Sequence, residues 1–248
     1  MSLSIKQYKN KYLSKRVFII GNGPSLKKHD LSLLREEYVF VVNLFTLHPE
    51  FKNYKHCFFC LGDPRFYQQN RLLSEIGEAL TINNNINCFF DIRASEALNQ
   101  EKKIKKNKIF FVEIDPEKKC WEGYFHADVE KKLCWGYSVV IDQCIPLAIY
   151  MGFNPIYLIG CDCDYRLKNN SSDFTNSYFY NPKLVSPKYL RSLYQSQKLP
   201  DQFNQSGKTV ASYKTVKNFC LLSGIDIKNA GSGGKLEVFE RILFSSLF

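Results

Sequence analysis

The run Arg16-Val17-Phe18-Ile19-Ile20 stops abruptly at Gly21-Asn22-Gly23-Pro24-Ser25. A run this short, rich in β-branched and aromatic residues and bounded by glycine, reads as a parallel strand buried on both faces. The two glycines let the backbone turn tightly and approach an anion closely. The amides that follow can point at phosphate oxygens, and Ser25 adds a hydroxyl donor. An ordinary tight turn capped by serine fits the same residues, because the third glycine of a dinucleotide fingerprint and the Gly-Lys-Ser/Thr ending of a Walker loop are both missing.

The pattern recurs, and the recurrence limits the fold. Tyr38-Val39-Phe40-Val41-Val42 ends at Asn43, and Cys57-Phe58-Phe59-Cys60-Leu61 ends at Gly62-Asp63-Pro64. Ile156-Tyr157-Leu158-Ile159 ends at Gly160-Cys161-Asp162-Cys163-Asp164. Further strands are expected at 88–92, 109–112 and 226–229, with helices over 66–80, 138–151 and 212–223. Pro146 should kink or disturb the second of these helices. Strands alternating with helices predict an α/β fold, a Rossmann-like and mostly parallel sheet with helices on both faces. We expect one domain over 1–248, with a lid-like insert at 166–207, a long polar stretch rich in Tyr, Asn, Ser and Pro.

In open parallel sheets, ligands sit beyond the carboxyl ends of the strands. The residues there are Gly21 to Ser25, Asn43, Asp63, Asp162 and Asp164. Asn43 either contacts a base or ribose or merely ends its strand. Asp63 either holds a ribose hydroxyl or a metal or forms a β-turn with Pro64. Asp162 and Asp164, at i and i+2, share a face of an extended segment and suit a Mg²⁺ site or a general base; alternatively one caps a helix.

Composition narrows the partners. The chain has 248 residues, a formal charge of +10 and 45% hydrophobic residues. No apolar run approaches the roughly 20 residues that cross a bilayer, and residues 1–15 show no signal-peptide core. Nine scattered cysteines, several inside apolar runs, indicate a reduced, cytoplasmic setting. Cys57-x-x-Cys60 lacks a second pair and is expected to be structural, so no metal ligand set is assigned. The basic cluster from Lys102 to Lys108 reads as a solvated helix end. With no helix-turn-helix, RNP or zinc-finger pattern, nucleic acid is not the expected partner.

Together the motifs resemble two related families. Phe18-Ile19-Ile20-Gly21-Asn22-Gly23-Pro24-Ser25-Leu26 is similar to the opening of the Campylobacter-type sialyltransferases, glycosyltransferase family 42. It is equally similar to the domain of unknown function 115, which includes motility accessory factors and hydroxymethylpterin diphosphokinase-like proteins. Gly136-Tyr137-Ser138-Val139, the run from Ile156 to Asp162, and the ending from Asn229 to Phe239 extend the second resemblance over nearly the whole chain.

The resemblance implies a glycosyltransferase that moves a sugar, sialic or another nonulosonic acid, from a CMP-linked or other nucleotide donor to a surface glycan. It would need no obligatory metal. Asn22, Gly23, Ser25 and Asn43 would contact the cytidine monophosphate, with Ser138 near its phosphate. The histidine base of the sialyltransferase lid has no counterpart in 166–207. Asp173 stands nearest as a base, and Tyr178, Tyr180 and Tyr189 as donors to the departing phosphate. The basic charge fits an acidic donor and an acceptor at the inner face of a membrane, and a homo-oligomer is compatible with the chain. The alternatives are a Mg²⁺-dependent diphosphokinase using Asp162, Asp164 and Asp63, and a nucleotide-binding assembly factor without turnover.

Overall fold

The computed structural model describes residues 4–68, 70–83, 86–101, 108–163, 178–181, 185 and 202–248. Seven strands form one parallel sheet: β1 (Val17–Ile20), β2 (Tyr38–Val42), β3 (His56–Leu61), β4 (Asn87–Asp91), β5 (Lys108–Val112), β8 (Ile156–Ile159) and β9 (Ile227–Asn229). Their order is β5-β4-β3-β2-β1-β8-β9. The chain therefore starts in the middle of the sheet, builds outward through β5, and returns to the other side of β1. That reversal makes the gap between the carboxyl ends of β1 and β8 the topological switch point, where such sheets hold ligands.

The β1 run is buried at every position, as a strand covered on both faces must be. Its side chains alternate: Phe18 and Ile20 face one apolar layer, Val17 and Ile19 the other. The first layer is closed by α1 (Pro64–Tyr67) and by α2 (Asn70–Ile82), which sends Leu73, Ile76 and Leu80 into it. Beyond β4, α3 (Ser95–Gln100) adds Leu98. The second layer is closed by α4 (Ile145–Tyr150) and α5 (Gln202–Leu222), through Ile145, Leu147, Tyr213, Val216 and Cys220. Each such apolar side chain is worth about 1.5–3 kcal/mol on burial. Cys57 and Cys60 fall in opposite layers, so the pair cannot share a metal ion.

One expected detail takes a specific form, and two differ from the sequence expectation. The disturbance at Pro146 takes the form of a π-helical turn, Val140–Cys144, feeding α4. One extra residue in that turn lets proline, with no N–H to give, sit at the start of regular helix. Helix α5 begins at Gln202, well before 212, so the last residues of the 166–207 insert belong to it. A second, two-stranded parallel sheet pairs β6 (Ile114–Lys119) with β7 (Leu133–Trp135). The polar sequence of β6 hid it from a reading based on apolar runs.

Candidate functional site

At the switch point, the turn after β1 lies directly on the end of β8. Gly21 N–H donates to the Ile159 carbonyl and Gly23 N–H to the Gly160 carbonyl, each at 2.8 Å. A Cβ on Gly21 would stand 2.5 Å from the Gly160 oxygen, and one on Gly23 would collide with the Asp162 carboxylate. Pro24 then opens a short 3-10 turn, Pro24–Lys28. Ser25 is 4% exposed and Asp162 7%. The Asp162 carboxylate accepts the Ser25 backbone N–H at 2.8 Å and the Ser25 hydroxyl. These two residues, read separately as ligand contacts, thus face each other.

A second clamp comes from the C-terminal glycine loop. Lys235 N–H donates to the Asp162 carbonyl at 2.6 Å, and Gly234, at φ +78°, passes so close to Asp162 that no side chain fits. Asn229 braces the loop, donating to the Leu236 carbonyl at 2.8 Å and accepting from Gly231 N–H at 2.9 Å. His29 accepts from Ser232 N–H at 3.1 Å. The Asn229 to Phe239 signature is therefore scaffolding for the turn.

Among the described residues, the buried side-chain polar atoms without a partner are on Tyr54, His126, Asn22, Asn43 and Gln143, and the last three lie over the neighbouring strand ends. Asn22, after β1, donates to the Val42 carbonyl at 3.2 Å, while its Oδ1 is buried without a partner. Asn43, after β2, holds φ +49° and also has an unpartnered, buried Oδ1. Gln143 is fully buried with neither amide atom bonded. It sits against Gly62, where a Cβ would stand 2.7 Å from its Nε2. A buried, unpaired polar group costs about 1–3 kcal/mol, and such atoms recur where a ligand or water completes them. Gln143 was missed in the sequence; its signal was an adjacent polar pair, Asp142-Gln143, inside an otherwise apolar helix.

Asp142 accepts Gly136 N–H at 2.6 Å from its place in the π-helical turn. Burial pushes its carboxyl up to about 8, and Asp91 adds to this, against hydrogen bonds from Gly136 and Ser138 and the charge of Arg93. Ser138 starts the helix, its carbonyl accepting from both Ile141 and Asp142 at 2.8 Å. Asp63 caps α1 by accepting Arg65 N–H at 2.9 Å, and pairs with the Arg65 guanidinium at 2.5 Å. Asp91 and Arg93 repeat this Asp-x-Arg arrangement one strand along, also at 2.5 Å.

Tyr178 belongs to a segment held over the glycine turn: Phe179 N–H donates to the Asn22 carbonyl at 3.0 Å. The Tyr178 and Tyr180 rings stack at 5.0 Å. Beside them a cavity of about 560 Å³ is bounded by Leu44, His48, Ile76, Phe179 and Val185. Asp164, Asp173 and Tyr189 lie outside the described residues, as does the basic cluster before Lys108.

Against solved structures, the chain is similar to the sialyltransferase CstII from Campylobacter jejuni in complex with the substrate analogue CMP-3FNeuAc. The match has a TM-score of 0.54 at 18% identity, over 92% of this chain and 86% of that one. The fold is shared with a sialyltransferase. CstII in complex with cytidine-5'-monophosphate matches at a TM-score of 0.53 and 16% identity, over 93% of this chain and 85% of that one. No protein-family model matches the sequence, and no curated protein does. Among the described residues no helix is long and apolar enough to cross a membrane.

Proposed function

We propose that the chain is a metal-independent glycosyltransferase that takes a CMP-linked sugar, a sialic or other nonulosonic acid, and transfers it to a glycan. The observation that carries this reading is the row of unpartnered amide atoms on Asn22, Asn43 and Gln143 above the ends of β1 to β3. Amides offer both donors and acceptors without charge, which suits ribose and sugar hydroxyls beside a phosphate. The fold shared with CstII, whose structures hold CMP and a CMP-sugar analogue, supports the same reading.

The transfer proceeds by direct displacement. The acceptor oxygen bonds to the anomeric carbon as the bond from that carbon to the phosphate oxygen breaks. Asn22 and Asn43 position the nucleotide, and Tyr178, with Ser138, hydrogen-bonds the departing phosphate. Asp142 takes the acceptor proton in its ionised form; with its carboxyl pushed up to about 8, that form is the minority at neutral pH and grows as pH rises. Asp173 is the other carboxylate assigned to this role. The diphosphokinase reading is less favoured, because Asp162 is engaged by Ser25 and Asp63 by Arg65.

The test is release of CMP from a CMP-linked nonulosonic acid, with EDTA present. Turnover that survives chelation and falls in Asn43→Gly and Gln143→Leu supports the assignment. Consumption of ATP only with Mg²⁺ would replace it by the diphosphokinase. Binding of CMP without turnover on any CMP-linked sugar would leave a nucleotide-binding factor.

A further inference from the structure

The chain has two tryptophans, and they meet. Trp121, from the short turn Cys120–Glu122, packs against Trp135 of β7 with ring centroids 5.4 Å apart. Tyr137 completes the group, at 4.8 Å from Trp121 and 4.3 Å from Trp135. From α5, the Lys208 ammonium stands 5.3 Å from the Trp121 ring centre and 5.5 Å from that of Tyr137.

Packing alone does not account for the cluster. Phe89, Phe110 and Tyr213, which fill the same side of the sheet, are at most 2% exposed. All three rings of the cluster, and Lys208, remain partly accessible. Tyr137 also holds φ +63°, a conformation that a bulky residue adopts only when its surroundings impose it. The ring is thereby set immediately before Ser138, and the next residue, Val139, packs against Gly62 at the end of β3. The patch borders the strand-end crevice.

We infer that Trp121, Trp135, Tyr137 and Lys208 form the acceptor subsite, and that its ligand is an anionic sugar ring carrying a carboxylate. The inference rests on the glycosyltransferase reading for the acceptor role. One face of a pyranose is a sheet of C–H groups, slightly positive at hydrogen, which complements the negative face of an aromatic ring. Pockets that take small ligands pair such apolar walls with a few placed polar groups. Lys208 supplies the positive charge that stands over the rings, Lys119 beside Trp135 being paired with Glu122, and a ring carboxylate can pair with Lys208 while the sugar lies on the indoles.

Because both tryptophans sit in the patch, intrinsic fluorescence reads it directly. The probes are a uronate-containing tetrasaccharide and the same tetrasaccharide after reduction of its carboxyl groups. A saturable change in emission with the acidic sugar, at least about tenfold weaker with the reduced one, is expected. Lys208→Gln should erase that preference while CMP still raises its melting temperature, which shows the variant is folded. No saturable change with the acidic sugar, or equal binding by Lys208→Gln, overturns the subsite. A protein that binds the sugar but not CMP keeps the subsite and loses the donor reading. One that binds CMP but not the sugar does the reverse.

Discussion

The Asp162 carboxylate takes both the backbone N–H and the hydroxyl of Ser25, and so fastens the end of β8 to the turn after β1. The switch point is thereby rigid before any ligand arrives. Asp162 acts on the site by holding the turn from which Asn22 projects.

Removing that carboxylate should therefore act first on stability. Asp162→Ala leaves two buried donors unpaired, a loss of about 2 kcal/mol or roughly 4–8 °C in melting temperature for a chain of this size. Thermal denaturation with and without Mg²⁺ checks this. An unchanged melting temperature would contradict the brace, and a Mg²⁺-dependent rise in the wild type alone would make Asp162 a metal ligand.

The glycines make opposite predictions. Gly23→Ala drives a methyl into Asp162 and the Gly160 carbonyl, so the soluble yield should collapse. Gly207 lies within α5 with open space around it. Gly207→Ala should stabilise by about 0.5–1 kcal/mol through helix propensity. Soluble yield of Gly23→Ala and a urea titration of Gly207→Ala against wild type distinguish a glycine packed on backbone from one that is merely exposed.

Asn43 separates fold from binding. Its positive φ suits glycine, so Asn43→Gly keeps the backbone and removes only the amide. We expect a melting temperature close to wild type and CMP affinity about tenfold lower, near 1.4 kcal/mol. Calorimetric titration of CMP gives the answer, and unchanged affinity would remove Asn43 from the site.

Asp142 predicts a pH dependence. Its native carboxyl is pushed up to about 8, against about 4 in an unfolded chain. The native state thus holds this proton more tightly, so the contribution of Asp142 to stability is greatest below pH 4. It declines from pH 4 to 8 and levels above that. Asp142→Asn should flatten this slope while Asn Oδ1 still accepts Gly136 N–H. Urea midpoints at pH 5, 6.5 and 8 suffice, and parallel slopes would contradict the assignment.

Much of this arrangement was legible in the sequence because short runs rich in β-branched and aromatic residues and bounded by Gly, Asn or Asp read as strands in a buried sheet. The runs at Val17, Tyr38, Cys57, Cys88 and Ile156 each became a strand within a residue or two. What escaped was long-range pairing. Nothing local says that Ser25 and Asp162, 137 residues apart, consume each other, or that Gln143 turns inward beneath Gly62. Trp121, Trp135 and Lys208 come from three segments that only the folded chain brings together.

On the function proposed, a cytidine nucleotide binds without metal in the crevice above the ends of β1 to β3. Thermal shift with CMP, CDP, UDP, GDP and ATP, each with EDTA and with Mg²⁺, tests it most directly. Stabilisation by CMP in EDTA, about 2.7 kcal/mol at a hundredfold excess over Kd and about 1.4 kcal/mol for Asn43→Gly at the same concentration, is the expected result. A shift seen only with ATP and Mg²⁺ would contradict it.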